Sequence, residues 1–273
     1  MIQDVYGFPV DVTRYQDLRF ITQYGLPFRV WTQAGILCLG VEGPRYGRLL
    51  IRFAGMALTG GPAPEVAVAG LRQAMPLYER LYPHPALIKL QGHGPAAGGY
   101  AAIFRWPEGV PLNDEGAQRM LQRQPLLTGL TMFDALLDFH LFALNQGFVP
   151  VNLHDGGLIA DFSAGKLTVA NIDLYRALPA VNDRGRMPGA SRFMSPEDFT
   201  FGAPLDGVSA QYNLAALSFL FFGSYGSRER AAWMAGEPLY RVAERACREP
   251  REARWPSLQD FVAAWREAAG KTM

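Results

Sequence analysis

The sequence predicts an α+β fold in two parts, a β-rich first part of about a hundred residues and a mainly helical remainder. Three observations predict it. Short β-rich runs separated by turn residues fill the first part. Pro107-Glu108-Gly109-Val110-Pro111 then punctuates the chain. Beyond it, apolar residues recur at helical spacing. With 49% hydrophobic and 19% charged residues, the 273-residue chain can bury a substantial core, which argues against global disorder.

The elements follow in order. Phe28-Arg29-Val30-Trp31 and the runs 35–41 and 48–53 read as strands, with turns at Ala34-Gly35 and Gly43-Pro44. Val66, Ala69, Leu71, Ala74, Leu77 and Leu81 recur at helical spacing and predict a helix over 64–80. Two extended segments follow, 86–90 and 99–106. Past the punctuation, 126–145 reads as a long helix stopped at Gly147. Leu158-Ile159-Ala160, a turn over 161–165 and Lys166-Leu167-Thr168-Val169 read as a hairpin. Helices are expected over 211–223, 238–248 and 257–269. Ser257 is the N-cap of the last, although Asp260 stands where a full capping box has Glu or Gln.

Bulk properties narrow the partners. With 26 basic and 25 acidic residues the net charge is +1, so no nucleic-acid or anionic-membrane partner is expected. Cys38 and Cys247, far apart in the chain, make no disulfide framework and read as reduced thiols of a cytoplasmic protein. Met1-Ile2-Gln3-Asp4-Val5 lacks the basic and apolar regions of a signal peptide. The strongest apolar run, 214–222, is about half the ~20 residues that span a bilayer and reads as a buried helix.

Three motifs carry chemistry: Val151-Asn152-Leu153-His154-Asp155-Gly156-Gly157, then Asn171-Ile172-Asp173-Leu174-Tyr175, then Phe193-Met194-Ser195-Pro196-Glu197. They resemble the catalytic loop, the D-F-G segment and the A-P-E segment of protein kinases. Asn152 to Asp173 is 21 residues and Asp173 to Glu197 is 24, spacings compatible with that family. The chain thus resembles bacterial members of the eukaryotic-type serine/threonine protein kinase family over roughly 28–265. The resemblance implies one two-lobed protein-kinase-like domain over 1–273: a β-rich N-lobe over 1–106, a hinge over 107–111 and a mainly helical C-lobe over 112–273. The order β-β-β-α-β-β in the first part matches a kinase small lobe.

The same resemblance assigns the site residues. Asn152 stands where the family has the catalytic Asp, and Gly157 where an Asn helps hold magnesium. A carboxamide hydrogen-bonds but is a negligible base. Asp155, the nearest carboxylate, is a substitute base or metal ligand, or else the Asp of a turn feeding the Leu158 strand. His154 has no second His or Cys at ligand spacing. Asp173 matches the metal-binding Asp; by itself it also reads as an Asp capping a turn. Leu174-Tyr175 replaces Phe-Gly, which stiffens that loop. Arg52 stands where the family's Lys anchors phosphate. It reads either as a phosphate contact or as a strand Arg paired with a carboxylate, with Glu65 and Glu79 as candidates on the helix. Gly35 is the single glycine of Thr32-Gln33-Ala34-Gly35, where a phosphate loop carries several. Glu197 and Arg254 match a structural ion pair of the large lobe. Ala210 stands where an Asp braces the catalytic loop. Between Tyr175 and Met194, Ser191 reads as a phosphosite with basic neighbours or as part of an exposed polar loop.

These features together predict a pseudokinase acting by nucleotide or protein binding, with ATP and magnesium as the implied cofactors. The alternatives are an active ATP-dependent Ser/Thr kinase using Asp155 and Asp173, a small-molecule phosphotransferase of the same fold, and an unrelated α+β domain.

Overall fold

A computed structural model describes residues 1–223 and 227–272, with the backbone alone at 272. The expected C-lobe span of 112–273 includes residues 224–226 and 273, which lie outside the described residues. The fold is mixed α+β, with six α-helices among the described residues. The chain forms two compact units, Met1–Pro83 with Ile88–Pro107, and His84–Leu87 with Glu108–Met273.

The first unit opens with a hairpin, β1 (Ile2–Val5) and β2 (Phe8–Asp11), that the sequence did not announce. Its strands are four residues long and carry Gln3, Asp4 and Pro9, too little alternation to read as β. Val5, Val10 and Val12 nevertheless pack on the sheet side chains Leu37, Leu39, Val41, Ile51 and Phe53. The sheet follows, with β3 (Leu26–Gln33), β4 (Ile36–Gly43) and β5 (Gly47–Ala54) as expected. Helix α1 (Pro64–Leu81) comes next. Pro64 at its start needs no N–H partner, and Leu71, Ala74, Tyr78 and Leu81 form its buried face. Strands β6 (Leu90–Ala96) and β7 (Gly99–Arg105) complete an antiparallel sheet in the order β3-β4-β5-β7-β6. The expected strand at 86–90 is corrected: β6 begins only at Leu90 and runs through Gly92, Gly94 and Pro95, residues that disfavour strands. Upstream, Leu87 makes one parallel bridge to Val169 within the second unit.

In the second unit, β8 (Val110–Pro111) lies within the expected hinge and pairs with β10. Gly109 lets this approach happen, since a Cβ there would meet Ala160 O at 2.2 Å. Helix α2 (Glu115–Gln122), capped by Asp114 Oδ1 accepting from Ala117 N at 2.9 Å, was not expected from the sequence. Helix α3 (Leu126–Asn145) has the expected bounds. Short strands follow: β9 (Phe148–Val149), β10 (Leu158–Asp161), β11 (Lys166–Val169), β12 (Arg176–Ala177), β13 (Ala180–Val181) and β14 (Pro204–Leu205). β10 and β11 form the expected hairpin. Helix α4 (Gly207–Phe222) is buried nearly all round, as a central helix must be. Helices α5 (Gly236–Ala246) and α6 (Leu258–Thr272) close the unit. Ser257 caps α6, accepting from Asp260 N at 3.0 Å. Phe133 of α3, Phe222 of α4 and Trp265 of α6 stack on one another in the core, with ring centroids 4.7 to 5.8 Å apart. Helix α3 is the one described helix long and apolar enough to cross a membrane; here it is half buried in this core.

The expected pair of Glu197 and Arg254 forms. Arg254 Nη1 lies 3.1 Å from both carboxylate oxygens, and both side chains are buried. Arg254 also donates to the carbonyls of Arg248 (2.6 Å), Glu249 (2.8 Å) and Val208 (3.2 Å), so each of its three nitrogens has an acceptor. Arg251 Nη1 stands 3.2 Å from Glu197, at ion-pair distance but outside hydrogen-bond geometry. Removing one member of such a pair strands a buried charge. Arg254→Ala is therefore expected to lower unfolding free energy by about 3–5 kcal/mol in denaturant titrations.

Candidate functional site

Of the residues the sequence singles out, Asn152, Asp155, Gly157 and Asp173 belong to the second unit, and Gly35 and Arg52 to the first. Asn152 has φ +63°, a left-handed conformation that Asn tolerates better than most residues. Asp155 opens a single 3₁₀ turn, Asp155–Gly157, feeding β10, as the turn reading expects. It does more than turn the chain. Its side chain is only 3% exposed and is ion-paired to Arg192, while Oδ1 accepts from Gly156 N at 3.0 Å. His154 Nδ1 accepts from the same N–H at 3.0 Å, so this ring caps the turn.

The turn lies against the Asp173 segment. Gly157 O accepts from Ala170 N at 2.8 Å, and a Cβ at Gly157 would sit 3.5 Å from Asn171 Cβ. Asn171 Oδ1 in turn accepts from Asp173 N at 3.1 Å. Of the two positions that the resemblance assigns to magnesium, Asp173 offers a carboxylate and Gly157 offers no donor. Among the described residues, no three His, Cys, Asp or Glu side chains converge as a metal site. This donor set does not match the family's two-ligand arrangement.

Two residues beyond Asp173, Tyr175 is locked into the core. Its hydroxyl donates to His140 Nε2 at 2.7 Å, and His140 Nδ1 donates to Leu136 O at 2.7 Å on α3. These two bonds define a neutral imidazole. Burial holds the His140 pKa down to about 4 and pushes the Tyr175 phenol up. Leu174, by contrast, is exposed.

Between Tyr175 and Met194 the polar side chains Asp183, Arg184, Arg186, Ser191 and Arg192 are exposed, in line with the polar-loop reading, but the backbone is tied down. β12 pairs with β9 and β13 with β14. Asn182, fully buried, donates to Gly185 O (2.8 Å) and Glu197 O (2.9 Å). Asp198 Oδ2 accepts from Ser195 N (2.7 Å), Ser195 Oγ (2.8 Å) and Asn213 Nδ2 (3.2 Å). Asn213 also donates to Phe193 O at 2.8 Å. Ala210, one turn earlier on α4, stands where the resemblance expects an Asp bracing the loop 151–157 and has no polar side chain to do so; the α4 contact from Asn213 goes to the stretch 193–198. Ser191 is exposed and accepts from Arg186 Nη2 at 3.0 Å.

In the first unit, Gly35 (φ +81°) follows Ala34 (φ +50°) in a two-residue turn joining β3 to β4. Positive φ at both residues marks a type I′ hairpin turn. Pro62 packs against Gly35, and a Cβ there would meet Pro62 Cγ at 2.5 Å. So tight a turn has no row of free amides to cradle a phosphate. Arg52 is buried and donates to Tyr78 Oη on α1 at 3.4 Å. Glu79 meets His93 Nε2 at 2.9 Å, and Glu65 lies in the first turn of α1. The Arg52 face of the sheet also carries Trp31, in register through Cys38. Beside them Phe28 and Trp106 stack at 4.9 Å over Gly40, where a Cβ would come within 2.7 Å of both rings. The Arg48 guanidinium lies over both, 4.6 and 5.3 Å from the centroids.

Sequence reasoning missed Arg192 as the partner of Asp155, His140 as the anchor of Tyr175, and Asn182 and Asn213 as braces. Only Arg192 gave a signal, as a basic neighbour of Ser191. No protein-family model matches the chain, and no curated protein matches it.

The buried His140 makes a pH prediction. Its folded pKa lies below the unfolded value near 6.5, so the unfolded chain binds the extra proton between them. Its contribution is fully present above pH 6.5 and is lost as pH falls toward 4, by about 3 kcal/mol in all. Equilibrium unfolding across this range should show that loss, and His140→Asn should flatten it.

Proposed function

We propose that this protein is a kinase-like, non-catalytic binding protein, a pseudokinase that acts by engaging a protein partner. The order β3-β4-β5-α1-β6-β7 followed by a helical unit supports the kinase-like part of the reading, as does the Glu197–Arg254 pair 57 residues apart. The non-catalytic part rests above all on the loop 151–157. Its acid position is Asn152, and its own carboxylate, Asp155, is buried against Arg192. A base must reach the hydroxyl it serves, and Asp155 is already committed. Gly157, the tight Gly35 turn, and Arg52 contacting Tyr78 weaken three further parts of phosphoryl transfer, which relies on positioning and charge stabilisation.

The test is a thermal-shift titration with ATP, with and without magnesium, followed by a phosphate-transfer assay. A ligand at a hundred times its Kd adds about 2.7 kcal/mol of apparent stability. The expected outcome is no magnesium-dependent shift and no transfer. Asn152→Asp alone should leave transfer absent, because the other lesions remain. A magnesium-dependent shift with transfer that Asp155→Asn abolishes would contradict the reading and establish an active kinase.

A further inference from the structure

The first unit holds a cleft of about 590 Å³ on the sheet face opposite Arg52 and α1. That size falls among small-molecule sites. Leu49, Ala101 and Ile103 form its apolar floor, and Phe20, Tyr24 and Tyr46 line it. The floor extends over Gly92 and Gly94 of β6, which pair with Ile103 and Ala101 and so share their face.

These two glycines are the informative feature. Glycine in a strand interior weakens the strand, and a β-branched residue would strengthen it. Neither position needs glycine for steric reasons: an added Cβ at 92 or 94 meets nothing within 4 Å. Neither has a positive φ. The sequence gives up strand stability at both positions, and the result is a flat, open floor.

The walls are pre-set. Tyr24 and Tyr46 are in contact at 5.8 Å, and Arg45 lies over Tyr46 at 5.0 Å. Gln23 is held to Phe20 O at 2.9 Å. The polar groups at the cleft are uncharged: Gln23, Gln91 and the two phenols. Burial raises the Tyr24 phenol above its ordinary pKa, so it remains a neutral donor. The His93 ring is turned to the other face, where it meets Glu79 and Tyr100, and gives the cleft only backbone. As the edge strand, β6 turns alternate peptide groups outward, unclaimed by another strand among the described residues.

We propose that this cleft binds an uncharged planar heteroaromatic ring, laid on the Gly92–Gly94 floor beside Tyr24 and Tyr46. The flat floor selects planarity, the aromatic walls select a π-system, and the uncharged amides, phenols and strand edge select neutral hydrogen-bonding groups. The site lies within the first unit and does not depend on how the segments 151–157 and 171–175 are read.

The test uses lumichrome, an uncharged three-ring heterocycle whose fluorescence reports stacking, titrated into the full chain. Saturable quenching is expected. Gly94→Val, which raises the floor, should weaken it at least about tenfold while keeping or raising Tm. Tyr46→Ala, at an exposed wall residue, should weaken it with little change in Tm. Absence of saturable binding by the natural sequence would overturn the proposal. So would affinity unchanged in both folded variants.

Discussion

A carboxylate taken out of water must keep a cation or several hydrogen-bond donors. Among its described residues the second unit buries three, Asp155, Glu197 and Asp198, and meets this constraint differently at each. Asp155 takes Arg192, Glu197 takes Arg254 with Arg251 beside it, and Asp198 takes two donors from Ser195 and one from Asn213. Each solution fastens a different part of the chain to the stretch 191–198. Asp155 brings in the loop 151–157, Asn213 brings in α4, and Arg254 brings in the approach to α6. Asn182 adds the stretch before it through Glu197 O.

This arrangement links fold and chemistry. On the proposed reading, a carboxylate beside position 152 would be valuable for its basicity. Here the one in that loop contributes a salt bridge. Other positions that the resemblance marks as reactive also have structural contacts. Tyr175, where the resemblance expects the mobile glycine of the D-F-G segment, is hydrogen-bonded into the core through His140. Gly35 makes a turn packed on Pro62. Arg52 reaches a tyrosine on α1, and Phe28, Trp31 and Trp106 fill part of its sheet face.

Much of this was legible in the sequence. Strong periodicity announced α1 and α3, and turn residues delimited β3 to β5 and the β10–β11 hairpin. The Glu197–Arg254 pair was legible because the resemblance pairs these two positions. What was not legible has physical reasons. The N-terminal hairpin is too short and polar to show alternation. β6 hides behind glycines and a proline. Buried polar contacts such as Asn182 and Asn213 depend on where distant backbone carbonyls come to rest, which no local pattern encodes. Arg192 was visible as a charge, but its partner lies 37 residues earlier and is defined only by the tertiary fold.

The central claim is that Asp155 is a structural carboxylate held by Arg192. A double-mutant cycle on Asp155→Asn and Arg192→Gln, read by equilibrium unfolding, tests it most directly. A coupling energy above about 1 kcal/mol is predicted, because either single change strands a charge or a donor that the other had satisfied. Additivity within about 0.5 kcal/mol would contradict the account and return Asp155 to the pool of available bases.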